Sequence, residues 1–183
     1  TAGGPIYGLF ACNMEYLRQM PGRIVGKTLD EDGRDAFTLT LSTREQHIRR
    51  HRATSNICSN ETLIALMGAM HMALLGPEGL ERLALRVAAS TEAAKKAISS
   101  IENVELVSPS MPNFREFAVK LPGLASDALL FMDDRGVLGG FDIGEWWNLK
   151  SSHLLIGCDE RTSQSDIDAL VDALSSWIEE VVS

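Results

Sequence analysis

The stretch REFAVKLPGLASDALLFMDDRG, residues 115–136, predicts a strand followed by a helix. In its first part Phe117, Val119 and Leu121 recur at every second position, which places them on one side of a strand. Gly136 follows the helical part, where helices often end in a left-handed residue. A strand with one apolar side needs a covering layer, so the stretch predicts helices packed on a sheet.

Two helices are predicted before this strand. The first is an apolar helix over residues 61–75, stopped by Gly76 and restarted at Pro77, a favourable first-turn residue. The second extends to about Ser100 and is expected to place four residues on one face: Leu80, Leu83, Val87 and Ala94. The methionines of the first helix are expected to fill the core: Met67, Met70 and Met72.

Two more strands and a helix are predicted after residue 136. VLGGFDI and HLLIGC are the expected strands, and the second lacks clear alternation, as buried strands often do. The last helix is expected from about Thr162, with its apolar residues at helical spacing: Ile167, Leu170, Val171, Leu174 and Ile178. From residue 61 the order α-α-β-α-β-β-α indicates a small α/β domain.

The residues before position 61 predict a different organisation. PIYGLFAC is expected to be a strand entering a core, and NMEYLRQMPGR a short helix with Asn13 as N-cap. RIVGKTLDEDGRDAFTLTLS is expected to be a hairpin around the turn Asp30–Gly33. The chain opens with Thr1, directly on a loop and strand pattern, so we expect it to start within a larger fold.

Composition excludes several classes of protein. The net charge of -8 and the pI near 5.0 disfavour nucleic acid as a partner, because duplex binding needs a broad basic face. No window is expected to reach the roughly 18 apolar residues of a membrane helix. Cys12, Cys58 and Cys158 are odd in number and far apart, which favours a reducing, cytoplasmic location and gives little support for a metal site.

The basic segment TREQHIRRHRATSNICSN, residues 43–60, is unusual in an acidic chain. Its first ten residues contain four arginines, two histidines and one glutamate. Thr43 and Gln46 form a capping-box pattern, and the helix expected after them has Ile48 as its one large apolar residue. Because no apolar stripe would hold such a helix on a core, its charges are expected to meet a partner.

Four interpretations of this segment stay open. It could be a solvated helix face with Glu45 and Arg49 as an ion pair, or a metal site using His47 and His51. It could contact nucleic-acid phosphates, although no aromatic residues are interleaved for stacking. The fourth interpretation is a site for an anion or an acidic partner, with polar residues before the next helix that include Thr54, Ser55 and Asn56.

Four stretches together resemble one family closely, over almost the whole chain. They are RQMPGRIVG, DEDGRDAFTLTLSTREQHIRRHRATSNICSN, ALLGPEGLERLA and DERTSQSDIDALVDAL. The sequence is similar to the P protein of the glycine cleavage system, glycine decarboxylase, and more narrowly to the first subunit of its two-subunit form. His51 and Arg52 depart from the family pattern, in which an acidic residue and a lysine are expected.

The resemblance implies a fold-type-I, aminotransferase-like architecture that binds pyridoxal phosphate (PLP). Residues 1–52 would be the end of the large domain with a connecting hairpin and helix, and residues 53–183 the C-terminal small α/β domain. The chain would therefore be a C-terminal part of the subunit. A partner subunit completes a heterotetramer in such an assembly.

The resemblance also implies the reaction of the complex. Glycine is decarboxylated with PLP, and its aminomethyl group passes to the lipoyl group of the H protein. The PLP lysine belongs to the second subunit, within a His-Lys motif that this chain lacks. The five lysines here lie in surface-like contexts: Lys27, Lys95, Lys96, Lys120 and Lys150. No catalytic, cofactor-binding or metal-binding residue is therefore expected in this chain, and His153 stands where related folds carry a carboxylate-binding arginine.

We expect this subunit to support or complete a site shared with the second subunit. The candidate residues for an anion site or an interface are Arg44, His47, Arg49, Arg50, Thr54, Ser55 and Asn56. Exposed isolated ion pairs contribute only about 0–1 kcal/mol, so a charge cluster is better explained by a matched interface. The alternative is a non-catalytic α/β interaction module that serves the assembly of a hetero-oligomer.

Overall fold

The structure is a computed structural model, and it describes residues 6–20, 22–41, 49–53, 61–144 and 152–182. The described chain forms two compact units, one of residues up to Ala73 and the other of residues from Leu74. The division into domains predicted from the sequence, between residues 52 and 53, stays a prediction.

A β-hairpin is the main element of the N-terminal unit. Strand β1, Ile24–Leu29, pairs antiparallel with β2, Asp35–Thr40, and Ile24 lies opposite Thr40. Asp30 organises the turn, since its Oδ1 accepts the backbone N–H groups of Asp32 at 2.9 Å and Arg34 at 2.8 Å. Gly33 has φ 76°, a backbone conformation that favours glycine. The predicted hairpin and its turn are confirmed.

The strand predicted over PIYGLFAC is wrong for the residues that the structure describes, 6–12. They pair with no strand, and Ile6, Leu9 and Phe10 are exposed. An apolar run becomes a strand only where another strand offers its backbone groups, and the described chain offers none here. The helix after it is a 3-10 helix, Met14–Gln19, and Asn13 makes no capping hydrogen bond through its side chain.

Helix α1, Thr62–Ser99, is interrupted where the sequence predicts. Gly76 has φ 64° and ψ −179°, so it is not helical, and Pro77 opens the first turn after the break. Beyond the break, Val87 and Ala94 are buried, while Leu80 and Leu83 are half-buried on the same face. The predicted helices on either side of Gly76 are confirmed.

A four-stranded antiparallel sheet forms the middle of the C-terminal unit. Its strands are β3, Glu105–Leu106; β4, Glu116–Lys120; β5, Phe141–Asp142; and β6, His153–Gly157, in the order β3-β4-β6-β5. The predicted strand REFAVKL is confirmed in β4, where Phe117, Val119 and the following Leu121 are buried. The two-residue strand β3 lies in a stretch for which the sequence predicts no strand.

Two further helices complete this unit: α2, Ala125–Asp133, and α3, Gln164–Val182. The end of α2 has the hydrogen bonds of a Schellman motif, from Gly136 N–H to Asp133 O at 2.8 Å and from Val137 N–H to Met132 O at 2.9 Å. Gly136 has φ 73°, so the predicted helix end is confirmed.

The core lies between one face of the sheet and the three helices. Its fully buried side chains include Ile98 from α1, Met132 from α2, Val119 and Leu154 from the sheet, and Leu174 from α3. In β6, Leu154 and Ile156 are buried whereas His153 and Leu155 are half-buried. The expected buried strand is therefore confirmed on the face of Leu154 and Ile156, while the other face is half-buried.

By length and composition, α1 is the one helix of the described residues that could cross a membrane, with a mean hydropathy of 1.4 in its most apolar window. The expectation that no such window exists is therefore wrong by this measure. The break at Gly76 limits the helix before it to residues 62–75, about 21 Å at 1.5 Å per residue. The hydrocarbon core of a bilayer is about 30 Å thick.

Candidate partner interface

The basic segment is described over residues 49–53. Arg50–Arg52 form a single 3-10 turn, closed by a hydrogen bond from Ala53 N–H to Arg50 O at 3.2 Å. Arg50 has φ 51°, so the expected α-helix does not continue through it. Arg49, Arg50, His51 and Arg52 are all exposed, which places three arginines and one histidine next to each other in the chain.

Of the predicted site residues, Arg49 and Arg50 are the two that the structure describes. The others lie outside the described residues: Arg44, His47, Thr54, Ser55 and Asn56. The ion pair of Glu45 with Arg49 and the metal site at His47 and His51 likewise depend on residues outside this part of the chain. An interface or anion site at the basic segment stays a prediction.

An apolar stripe follows the basic segment in the chain. We define it as Leu63, Leu66, Met67 and Met70, whose exposed fractions are 70%, 55%, 39% and 56%. Their spacings of three, four and seven residues place them on one face of α1. Single exposed apolar residues are ordinary, but a continuous stripe of four long side chains indicates a surface that another structure covers.

A different face of the same helix is covered by Tyr7. A Cβ atom at Gly68 would lie 2.6–2.8 Å from three ring atoms of Tyr7, so the ring rests directly on the helix backbone. Gly68 is buried and Ile64, one turn earlier, is half-buried. The helix thus has one apolar face that is partly covered within the N-terminal unit and a second, the apolar stripe, that is not.

The prediction that the methionines fill a core is wrong for Met67 and Met70, which are exposed, while Met72 is half-buried. Among the described residues of the N-terminal unit, Gly68 alone is buried. The unit therefore has no core of its own in the described ranges, so methionine side chains have no cavity there to fill. The spacing of the apolar stripe was visible in the sequence, but the spacing does not say whether a partner face lies within the same chain.

The hairpin of this unit is also apolar on an exposed face. Val25 of β1 lies opposite Leu39 of β2, and Phe37 follows on the same side. All three side chains are exposed. An isolated two-stranded hairpin is marginally stable in water, so this face gives a second indication that the N-terminal unit is normally covered.

Lys95 is a buried lysine, whereas the sequence analysis places it at the surface. Its exposed fraction is 8%, and its Nζ donates to Asn113 Oδ1 at 2.8 Å and Met111 O at 3.3 Å. The sequence did contain one indication of this burial, since the adjacent residue Ala94 was predicted on the buried face of the helix. Both acceptors belong to the loop before β4, so Lys95 connects α1 to that loop, and its Nζ also lies 3.9 Å from Glu92 Oε1.

A cavity of about 460 Å³ in the C-terminal unit is lined by residues that include Gly140, Cys158 and Arg161. Burial raises the pKa of the Cys158 thiol; a hydrogen bond with Thr91 acts in the opposite direction, and Asp159 raises it further. The thiol therefore stays protonated at neutral pH and is a poor nucleophile. Within the described residues, no three His, Cys, Asp or Glu side chains are grouped as metal ligands.

Comparison of the structure with solved structures identifies the fold. A solved glycine decarboxylase, the P-protein of the glycine cleavage system in inhibitor-bound form, matches with a TM-score of 0.81 and 37% identity over 95% of this chain and 39% of that one. A NifS-like protein from Rickettsia africae matches with a TM-score of 0.53 and 16% identity, over 72% of this chain and 38% of that one, and shows the fold alone. The chain therefore has an α/β fold of the kind found in these proteins.

The family follows from the sequence comparisons. The family model for the glycine cleavage system P-protein matches residues 1–174. The chain is 43% identical to the probable glycine dehydrogenase (decarboxylating) subunit 1 of Thioalkalivibrio sulfidiphilus, over 96% of this chain and 39% of that protein. It is 46% identical to the protein of the same name from a Caulobacter species, over 94% and 38%.

The chain belongs to the glycine cleavage system P-protein family. It spans about two fifths of the length of these curated relatives.

Proposed function

We propose that this chain is part of subunit 1 of a glycine dehydrogenase (decarboxylating). The complex would decarboxylate glycine with PLP and transfer the aminomethyl group to the lipoyl group of the H protein. The observation that carries the proposal is the match of the family over residues 1–174, together with relatives that are named as subunit 1. That name implies at least one further subunit.

The residues that the structure describes do not fit a PLP site. A PLP lysine must be able to lose its proton and bond covalently to the cofactor. Among the described lysines Lys95 is the buried one, and its ammonium group donates to Asn113 and Met111 and lies 3.9 Å from Glu92 Oε1. Lys27 and Lys120 form ion pairs at the surface, with Asp35 and Glu105. We therefore assign no step of the reaction to the described residues.

The role proposed for the chain is to support or complete a site that the second subunit carries, including its PLP lysine. The basic segment and the predicted residues around it would take part through an anion site or through the interface. The exposed apolar surfaces of the N-terminal unit support this role, because they need a partner. We also propose a heterotetramer in the cytoplasm, to be checked by mass measurement of the native complex and by cell fractionation.

The test is reconstitution with full-length subunit 1, the purified second subunit, lipoylated H protein and PLP. The readout is the exchange of labelled bicarbonate into the carboxyl group of glycine. We expect exchange only when both subunits are present. If the second subunit exchanges label equally fast with the H protein alone, this chain has no part in the activity and the proposal is wrong.

A second candidate function is a non-catalytic module for hetero-oligomer assembly. The observation that favours it is the same set of exposed apolar surfaces. The two functions differ in cofactor behaviour. A subunit that completes the site should change the PLP absorbance or the turnover of the second subunit, whereas an assembly module should bind it and leave both unchanged.

A further inference from the structure

The turn of the hairpin, Asp30–Gly33, contains a dipeptide that can react with itself. Asp32 followed by Gly33 is the one Asp-Gly pair in the sequence, which has no Asn-Gly pair. In an Asp-Gly pair the backbone nitrogen of glycine can attack the side-chain carboxyl carbon of aspartate. Glycine favours this attack because it has no side chain to shield its nitrogen and restricts the backbone least.

We propose that Asp32 converts spontaneously to isoaspartate, and that the side chain of Asp30 limits the rate. In the first step a bond forms between Gly33 N and Asp32 Cγ. One carboxyl oxygen leaves as water, with the amide proton and a second proton from the carboxyl group or the solvent. The product is a succinimide ring.

The second step opens the ring. Water adds to the backbone carbonyl carbon of Asp32, the bond from that carbon to Gly33 N breaks, and Gly33 N takes up a proton. The main chain then runs through Cβ and Cγ of residue 32. The water released in the first step is matched by the water consumed in the second, so the mass is unchanged and nothing is oxidised.

The turn gives this reaction space and access to water. The side chain of Asp32 is 63% exposed. No atom of the described residues lies within 4 Å of the position that a Cβ would take at Gly33. The turn closes a two-stranded hairpin, and an isolated hairpin is marginally stable in water. The backbone at Asp32 can therefore leave the turn conformation and reach the geometry in which the ring closes.

Asp30 opposes that movement through its side chain and its backbone. Its Oδ1 accepts the backbone N–H groups of Asp32 at 2.9 Å and Arg34 at 2.8 Å, which flank Gly33 in the chain. Its backbone oxygen accepts the N–H of Gly33, the attacking nitrogen, at 3.1 Å. Gly33 N must lose this hydrogen bond before it attacks, so the rate depends on how often the turn opens.

Arg34 is a weaker restraint on the carboxyl group that is attacked. Its Nη2 lies 3.5 Å from Asp32 Oδ2, and both side chains are exposed. Exposed ion pairs of this kind stabilise a conformation little. The three hydrogen bonds to Asp30 are therefore the restraint that decides the rate.

Isoaspartate would change the hairpin as well as the residue. The main chain gains one atom between Asp30 and Arg34, whereas the turn is closed by the hydrogen bond from Asp30 N–H to Arg34 O at 2.9 Å. Strand pairing begins next to this bond, with Leu29 opposite Asp35. Because the turn sets the register of a hairpin, the modified chain should pair its strands less well.

The test uses full-length subunit 1, kept at physiological temperature and neutral pH in water enriched in oxygen-18. Each passage through the ring fixes one heavy oxygen in residue 32, and electron-transfer fragmentation in a mass spectrometer distinguishes isoaspartate from aspartate. Label and isoaspartate should both appear at residue 32. The absence of either would overturn the proposal.

The matched control in the same sample is Asp127, which is exposed and also precedes a small residue, Ala128. The N–H of Ala128 is held in α2 by a hydrogen bond to Leu124 O at 3.2 Å, so the ring should not close there. Asp127 should gain at least tenfold less label than Asp32. Equal labelling of the two residues would show that the turn has no special reactivity and would overturn the proposal.

The role of Asp30 is tested by Asp30→Ala, with Glu31→Ala in the same turn as its control. Asp30→Ala should raise the rate of isoaspartate formation at least threefold, because both hydrogen bonds to Oδ1 are lost. Glu31→Ala should change the rate less than twofold. Equal rates in the two variants would refute the limit set by Asp30.

Unmodified subunit 1 in urea tests the same limit without a substitution, so the result does not depend on how well a variant folds. The unfolded chain should form isoaspartate faster than the native protein, since the hydrogen bonds of the turn are absent. Equal rates in the two conditions would refute a limit set by the turn. Asp32→Glu should remove the label from this position, because its side chain would have to close a larger ring. Undiminished labelling of that variant would refute the ring mechanism.

Discussion

Lys95 Nζ donates a hydrogen bond of 2.8 Å to Asn113 Oδ1 and thereby connects α1 to the loop before β4. Asn113 in turn donates through Nδ2 to the backbone oxygen of Glu116, the first residue of β4, at 2.9 Å. Glu92 Oε1, on the preceding turn of α1, lies 3.9 Å from the same ammonium group, so the buried Lys95 has one charged and two neutral partners. This arrangement makes Lys95 the first residue to test.

Replacing Lys95 by methionine should lower the free energy of unfolding by about 1–3 kcal/mol, because Asn113 and Met111 lose a buried donor. Methionine keeps most of the length and the apolar part of the side chain. The control is Lys96→Met, at the exposed neighbour, which should change stability by less than about 0.5 kcal/mol. Urea unfolding measures both, and similar losses for the two variants would contradict a special role for Lys95.

Gly140→Ala should be strongly destabilising. Gly140 has φ 133°, in a region that essentially only glycine adopts, and an added Cβ would collide with the backbone oxygen of Leu155 in β6. Strain of this kind costs about 1–3 kcal/mol before the collision is counted. Gly157→Ala is the control in the neighbouring strand, since its Cβ would meet Glu116 and Arg115 at ordinary contact distances of 3.7 Å and 3.9 Å. Thermal unfolding that is equal for both variants would refute this account of Gly140.

Asp166 should give α3 a stability that depends on pH. The backbone N–H of Ser163 donates to Oδ2 of Asp166 at 2.8 Å and the Ser163 hydroxyl at 2.7 Å, and these bonds hold the pKa of Asp166 below its ordinary value of 3.8. Because the folded state has the lower pKa, the stabilisation is present above pH 3.8 and is lost as the pH falls through the folded value.

Asp166→Asn should therefore lower the urea midpoint at pH 7, and its difference from the unmodified protein should narrow as the pH is lowered below about 4. Asp172→Asn, later in the same helix, makes the same change of charge without removing a capping bond to Ser163. It should leave the midpoint nearly unchanged across this range. A difference for Asp166→Asn that is constant with pH would contradict the capping explanation.

The cysteines should differ sharply in reactivity. Cys158 is buried and its raised pKa keeps it protonated, whereas Cys12 is exposed. In a Cys58→Ser background, iodoacetamide should modify Cys12 in the native protein and Cys158 only after denaturant is added. Mass spectrometry of the labelled peptides gives the readout. Rapid labelling of Cys158 in the native protein would show that its cavity opens.

The C-terminal unit could be predicted well from the sequence because its signals are local. Alternation at Phe117, Val119 and Leu121 and the spacing of Ile167, Leu170 and Leu174 each reflect burial within the same unit. Gly76 and Gly136 mark the ends of helices, and both adopt positive φ. Because glycine is the residue that adopts this conformation most readily, these helix ends could be read from the sequence. Strands of two residues, such as β3, carry too few side chains for such a signal.

The N-terminal unit was predicted less well because its apolar residues have no partner in the described chain. Alternation and spacing indicate that Phe10 or Met70 belongs to an apolar face, but not what the face contacts. The strand at residues 6–12 and the core at Met67 and Met70 were wrong for this one reason. Most of the predicted site, including Arg44 and Thr54, lies outside the described residues and stays a prediction.

The break at Gly76 divides α1 into two helical segments. The ladder of helical hydrogen bonds does not run through a residue with ψ −179°, so fraying of residues 62–75 need not propagate into the helix after Pro77. Probes in the C-terminal unit, such as Trp177, would then report a folding equilibrium that is insensitive to the earlier helix. A spectroscopic label at residue 70 would instead report whether the apolar stripe is covered. A label there and the fluorescence of Trp177 would therefore report on different parts of the chain.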